Sequence, residues 1–237
     1  MVVFFCYEPV SHIDNSYNLS HNSNAYFGWD VGMKTIELFC GTKSFSNVAR
    51  ELGHQTFTVD NNPIFTPNLL KDLLLVNKND FPYQPDILWA SPPCQCFSVA
   101  SIGTHWNRDH TPKTSQAENA ISLVWKTLQI IKELQPTYWF IENPRGMLRK
   151  LPMIQKLHRK TVTYCQYGDT RMKPTDIWTN LIWWQSRPAC KNGSPCHIAA
   201  PRGSRTGTQG LKDATERGKI PEELFIEIFN ETALSTL

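Results

Sequence analysis

From Lys34 onward, apolar and polar positions alternate between short extended runs and longer helical ones. Residues 35–39 (TIELF) form a predicted strand. Ser44 stands where a helix cap belongs, for a helix reaching about Leu52 that Gly53 ends. Residues 55–60 are rich in β-branched side chains and predict a second strand, and 86–90 (DILWA) a third. Pro92 and Pro93 stop that third strand, because proline cannot donate into a ladder. Ile121, Val124, Trp125, Leu128, Ile131 and Leu134 recur at helical spacing, which predicts an amphipathic helix over about 115–134. Residues 137–142 read as a strand, 146–158 as a helix despite Pro152, and 161–167 and 176–184 as two consecutive strands. Pro221 suits the first turn of a last helix through Phe229. Strand and helix in alternation, finished by a strand pair, predict an α/β fold: a mostly parallel wound sheet with an antiparallel edge.

Four segments follow from this pattern. Residues 1–33 form an irregular extension, 34–184 the main domain, 185–220 a small basic loop-rich region, and 221–237 a C-terminal helix packing back on the main domain. Met33, directly before the first strand, is a candidate translation start. The 41% hydrophobic content suffices for one sizeable domain with a small appendage. No apolar run approaches the ~20 residues of a membrane span, and the N-terminus lacks the basic region of a secretory signal.

Charge and cysteine usage add two points. Net charge is only +3, yet residues 187–219 hold seven basic and two acidic residues, a local net of +5 suited to phosphates or simply to solvent. Seven cysteines are an odd number in a chain too large for a disulfide scaffold, so reduced thiols in a cytosol-like compartment are expected. Cys190, Cys196 and His197 lie close enough to be three zinc ligands, with Cys165 or His158 as a fourth; reduced loop cysteines are the preferred reading, with no metal.

The candidate chemistry gathers at strand ends, where wound sheets bind ligands. Cys94 follows the third strand behind two prolines; it is either a buried structural thiol or a nucleophile held in place. Glu142 ends an apolar strand leading inward, and Asp60 ends the second strand, where an acid can hold ribose hydroxyls. Cys96 reads as packing.

Three blocks change the weight of these alternatives: Ile36-Glu37-Leu38-Phe39-Cys40-Gly41, Pro92-Pro93-Cys94-Gln95 with Phe97-Ser98, and Ile141-Glu142-Asn143-Pro144-Arg145-Gly146. In this order and at these separations they resemble the DNA cytosine-5 methyltransferase family, in a compact form similar to short phage-borne and bacterial members. The resemblance implies a Rossmann-like S-adenosylmethionine-dependent methyltransferase fold. It implies Cys94 as covalent nucleophile on carbon 6 of a cytosine flipped from duplex DNA, with Glu142 acting at ring nitrogen 3. A thiolate is needed, which a locally positive setting would favour. It places Phe39 against the adenine, Gly41 and Thr42 beside the methionine part, Asp60 on the ribose, and Asp72 on the adenine amino group. Tyr164 to Thr175 resembles the block whose arginine binds the cytosine carbonyl oxygen, with Arg171 chosen over Lys173. His105, Trp106, Asn107, Arg108, His110 and Lys113 lie in the loop expected to meet DNA. Residues 185–220, with Arg202 and Arg205, replace a larger recognition region. The chain departs from the family at Lys43, where a second glycine is usual, and residues 220–228 resemble only the helical half of its final block. A monomer in the cytoplasm of a prokaryote or phage-infected host is implied. Methylation of transfer RNA and DNA binding without methylation are the alternatives.

Overall fold

The computed structural model describes residues 32–199, 211 and 213–234. Its elements are β1 (Lys34–Leu38), α1 (Ser44–Glu51), β2 (Gln55–Asp60), β3 (Leu69–Leu70), β4 (Ile87–Ala90), α2 (Ile102–His105), α3 (Ser115–Leu134), β5 (Tyr138–Pro144), α4 (Pro152–Gln155), β6 (Arg159–Thr163), β7 (Pro174–Thr179), α5 (Ala214–Gly218) and α6 (Glu222–Leu234). The sheet order is β3-β2-β1-β4-β5-β7-β6. Strands β1 to β5 pair in parallel, while β7 runs antiparallel to both β5 and β6. The expected wound sheet with an antiparallel edge is thus the observed one. Its order reverses between β1 and β4, and the crevice beyond their carboxyl ends is where such sheets take ligands.

Both faces of the sheet are covered, which is why β4 is apolar at every position. On one face Ile36, Leu38, Leu88 and Ile141 pack with Ala117, Val124 and Ile130 of α3. The Thr114 side chain caps α3 by accepting from Ala117 N, and Gln135 ends it in a left-handed conformation (φ 48°) just before Pro136. On the other face Phe45 of α1 stacks on Trp89 (5.8 Å) and on Phe229 of α6 (5.3 Å), with Phe225 edge-on at 5.5 Å. Among the described residues, no helix is long and apolar enough to cross a membrane.

Several local expectations need correction. Residues 146–158 are not one helix. A 3-10 turn at Leu148–Lys150 precedes α4, which Pro152 opens because its fixed φ suits a first turn and not an interior. Likewise β6 stops at Thr163, and Tyr164–Tyr167 forms a 3-10 turn closed by Gly168 at φ 84°. Strand β7 ends at Thr179, well short of residue 184. Within 185–220 a short helix, α5, interrupts the loop, and α6 continues past Phe229 to Leu234. Most of the N-terminal extension, with Arg202 and Arg205, lies outside the described residues.

Ser44 is the first helical residue of α1, not its cap. Lys43 occupies the cap position at φ 58° and makes no side-chain cap bond. The buried carboxylate of Glu37 does that work across space, accepting from Ser46 N (3.0 Å) and Phe45 N (3.4 Å). Burial raises the Glu37 carboxyl from an ordinary 4.5 to about 7, against the lowering effects of Ser46, Phe45 and the Arg50 charge. The native state therefore holds this proton where the unfolded chain has lost it. Stability falls as pH rises from 4.5 towards 7, and the loss is complete above that. The stability of the wild type relative to Glu37→Gln is expected to decline by roughly 3 kcal/mol across this window. Urea denaturation of both proteins over a pH series checks it, and a pH-independent difference would contradict it.

Candidate active site

The chain leaves β4 at Ala90 and passes through Ser91, Pro92 and Pro93 to Cys94. Three bonds fix this passage. Trp89 Nε1 donates to Ser91 Oγ (2.9 Å), Asn143 Nδ2 donates to Pro92 O (2.9 Å), and Phe97 N donates to Cys94 O (3.0 Å). The Asn143 bond ties the end of β5 to the proline pair. A second tie runs through Met147 N to Phe97 O (2.7 Å) beside the Ser98–Gly146 bridge. Here the two backbones approach so closely that a Cβ on residue 146 would stand 2.0 Å from Phe97 O. Gly146→Ala is expected to destabilise the fold by about 1–3 kcal/mol, visible as a lower melting temperature; an unchanged one would contradict the close approach.

Glu142 points into this enclosure from β5 and is buried. Tyr164 O–H donates to its Oε1 at 3.0 Å. Burial pushes the Glu142 carboxyl up, while Lys173, Tyr164 and Ser91 pull it down less strongly. Lys173 lies 4.6 Å above the Tyr164 ring and donates to Arg217 O at 2.8 Å. Burial lowers the Lys173 ammonium, and the neighbouring Glu142 and Cys94 charges raise it. The Cys94 thiol is pushed up by burial and then by Glu142, with Lys173 and Arg217 opposing. The positive setting expected for a thiolate is therefore present, but desolvation outweighs it in the resting site.

Arg171 is placed differently from Lys173. Its guanidinium is 5% exposed and pairs with both Asp169 oxygens. It also donates to the carbonyls of Glu216 (3.0 Å), Arg217 (3.1 Å) and Lys219 (3.0 Å). These partners fill its donor fork, so it clamps the approach to α6. Lys173, two residues on, is the cation that Cys94 and Glu142 feel.

Beside the loop of the thiol opens a cleft lined by Phe39, Asp60, Asp72, Lys71, Asn119 and Pro93 among others. Three residues singled out from sequence, Phe39, Asp60 and Asp72, thus share one cleft, and the residue before Cys94 forms part of its wall. Phe39, Gly41 and Lys43 all have positive φ (57°, 45° and 58°), so the loop after β1 curls back tightly. Asp60 anchors it by accepting from Gly41 N (2.9 Å) and from Asn62 N (2.9 Å). Each Asp60 oxygen keeps a further lone pair for a ligand hydroxyl. Asp72 Oδ1 accepts from Leu74 N (2.9 Å), and Thr42 Oγ1 lies 3.1 Å from Ser44 Oγ.

A family model for C-5 cytosine-specific DNA methylases matches residues 33–159. The chain belongs to this family. Its enzyme class is DNA (cytosine-5)-methyltransferase. The matched span holds Cys94, Glu142, Asp60 and Asp72 and ends before Tyr164, Arg171 and Lys173. A relative from Frog virus 3 (isolate Goorha), named "probable DNA (cytosine-5)-methyltransferase", is 27% identical over 221 residues, covering 84% of this chain and 99% of its own. Among solved structures, the S. pombe Dnmt2 methyltransferase aligns with 65% of this chain and 52% of its own, at 16% identity and a TM-score of 0.44. A mutant of Spodoptera frugiperda DNMT2 aligns with 69% and 57%, at 17% identity and a TM-score of 0.45. The aligned part spans little more than half the length of those two chains.

Other features of this methylase answer to its particular sequence. Lys43, standing for the usual glycine, donates from Nζ to Thr66 O (2.7 Å) and Thr66 Oγ1 (3.2 Å). It therefore braces the loop after β1 against the turn after β2. Trp106, expected among the DNA-facing groups, is buried. It stacks on Phe97 at 5.8 Å and donates to Cys96 O at 2.7 Å. It anchors the loop from below, while Arg108, His110 and Lys113 remain on the surface side. Cys96 is buried as packing. Sequence reasoning missed Tyr164 as the partner of Glu142 and Asn143 as the brace of the proline pair. Both lie inside blocks already noted, but nothing local marks their bonds.

Proposed function

We propose that this methylase transfers a methyl group to carbon 5 of cytosine in duplex DNA, using S-adenosylmethionine and a transient covalent bond from Cys94. One observation carries the reading. A half-buried thiol, a buried carboxyl bonded to Tyr164 and a lysine ammonium share one enclosure, next to a cleft with two carboxylates and an aromatic face.

The cleft residues fit the cofactor. Asp60 has acceptor capacity for ribose hydroxyls, Phe39 offers a ring face to adenine, and Asp72 can accept from an amino group, whereas Gly41 and Thr42 do not line this cleft. When bound, S-adenosylmethionine supplies a methyl group activated for displacement.

The protein's own groups then act on a base taken out of the stack. Cys94 gives up its proton to water, and its sulfur pair forms a bond to carbon 6. The electrons of the carbon 5–carbon 6 double bond shift to carbon 4–carbon 5, the carbon 4–nitrogen 3 pair moves onto nitrogen 3, and Glu142 delivers its proton there. Burial raises this carboxyl above its ordinary range, which favours the protonated form that role needs. Carbon 5, now electron-rich, takes the methyl group, and the pair of the broken sulfur–methyl bond stays with the donor sulfur. Loss of the carbon 5 proton to water reforms the carbon 5–carbon 6 double bond and expels the Cys94 sulfur, while nitrogen 3 returns its proton to Glu142. Lys173, in place of Arg171, supplies the positive charge for the base's carbonyl oxygen, because Arg171 has no donor left to offer.

Bisulfite sequencing of DNA and transfer RNA from cells expressing the chain tests the assignment. Protected cytosines in DNA at a recurring sequence are expected. Protection confined to transfer RNA, or none in either, would overturn it.

A further inference from the structure

Cys165, in the turn that begins at Tyr164, comes together with Cys190, Cys196 and His197, although 31 residues separate Cys165 from Cys196. Their four ligand atoms lie within 4.8 Å of one another. Cys190 Sγ is 3.2 Å from Cys196 Sγ and 3.3 Å from His197 Nδ1. Cys196 Sγ is 3.7 Å from Cys165 Sγ and 3.8 Å from His197 Nδ1. A tetrahedron with Zn–S bonds of ~2.3 Å and a Zn–N bond of ~2.0 Å has edges of about 3.5–3.8 Å. Thiols are weak donors and weak acceptors, so hydrogen bonding is a poor reason to gather three of them around an imidazole.

The surroundings hold these groups in place. Cys190 N donates to Thr163 Oγ1 at 2.9 Å, at the end of β6. Ile198 N donates to Thr170 O at 2.9 Å. Gly193, at φ 87°, supplies the turn that brings Cys196 back to Cys190. Gln166 Nε2 donates to Cys196 Sγ at 3.4 Å, the kind of outer bond that orients a thiolate ligand. His158, the other candidate from sequence, is not one of the four.

We propose that Cys165, Cys190, Cys196 and His197 bind one Zn²⁺ as a structural site. Three thiolates and one imidazole complete a tetrahedron and leave no position for water or substrate, so the role is mechanical. On binding, each thiol releases its proton and its sulfur donates a pair to the metal. Cys165 is the direct neighbour of Tyr164, whose hydroxyl holds Glu142. Cys196 and His197 stand just before residues 200–210 of the basic region. The metal thus joins the turn that supports the catalytic carboxyl to the root of the segment expected to meet DNA. The alternative use of these thiols is a Cys190–Cys196 disulfide, which needs a sulfur separation of ~2.05 Å and leaves Cys165 and His197 out.

The full chain, expressed without a metal-chelating tag and purified in reducing buffer, tests the proposal by elemental analysis. About one zinc per chain is expected, falling at least about tenfold in Cys190→Ser and Cys165→Ser. Cobalt substitution of the wild-type chain reads the ligand set without relying on any variant. Intense visible bands of a tetrahedral ion with sulfur-to-cobalt charge transfer are expected. A folded wild-type chain that takes up neither ion from excess would overturn the proposal. So would an octahedral cobalt spectrum, or zinc content undiminished in Cys190→Ser.

Discussion

Cys94→Ser is expected to lower methylation of DNA by at least about a thousandfold while leaving the melting temperature nearly unchanged. The hydroxyl has almost the volume of the thiol, and the loop that carries it is fixed by bonds elsewhere. Asn143 holds Pro92, Trp89 holds Ser91, and Met147 holds Phe97. What serine lacks is acidity and nucleophilicity. The enclosure already pushes the thiol up by burial, and it would push the far weaker acid of a hydroxyl out of reach. Quantifying 5-methylcytosine by mass spectrometry beside thermal denaturation decides the matter. Activity within about tenfold of wild type would remove Cys94 from its role.

Glu142→Gln is expected to cost about 10²- to 10⁴-fold in rate, again with the fold retained. Glutamine can still accept from Tyr164, so packing and one bond survive, but it has no proton to give to nitrogen 3. The wild-type rate should also fall on the alkaline side as Glu142 loses its proton. Burial moves that limb up from the ordinary carboxylate range, and the limb should vanish in the glutamine variant. An alkaline limb of unchanged position in Glu142→Gln would assign it to another group.

Local pattern made most of the sheet legible. Runs of β-branched and apolar residues marked β1, β2, β4 and β5, and the spacing from Ile121 to Leu134 marked α3, because those elements are decided by one buried face. Elements decided by distant partners were not legible. Tyr164–Tyr167 has strand-forming side chains, yet it turns because Gly168 takes a positive φ and Tyr164 reaches back to Glu142. Residues 146–158 have helical spacing, but Pro152 and the close passage of Gly146 against Phe97 break the run.

The site divides in the same way. Asp60 was named from its strand-end position, and Phe39 and Asp72 from the resemblance; the three line one cleft. Arg171 and Lys173 are equivalent by local pattern. What separates them is the set of carbonyls from Glu216, Arg217 and Lys219, more than forty residues further along. The sequence left Cys165 and His158 as alternatives for a fourth member beside Cys190, Cys196 and His197, and the turn after β6 brings Cys165 to them.

The central claim is a covalent bond from Cys94 to the cytosine ring, and a duplex carrying 5-fluorocytosine tests it most directly. With fluorine at carbon 5 there is no proton to lose after methyl transfer, so the sulfur cannot be expelled. Incubation with this duplex and S-adenosylmethionine should yield a complex that survives denaturing gels. Its mass should be that of chain plus DNA plus one methyl group, with peptide mapping to Cys94 and no complex from Cys94→Ser. Turnover of normal duplex without any such complex, or a complex mapped to another residue, would contradict the account.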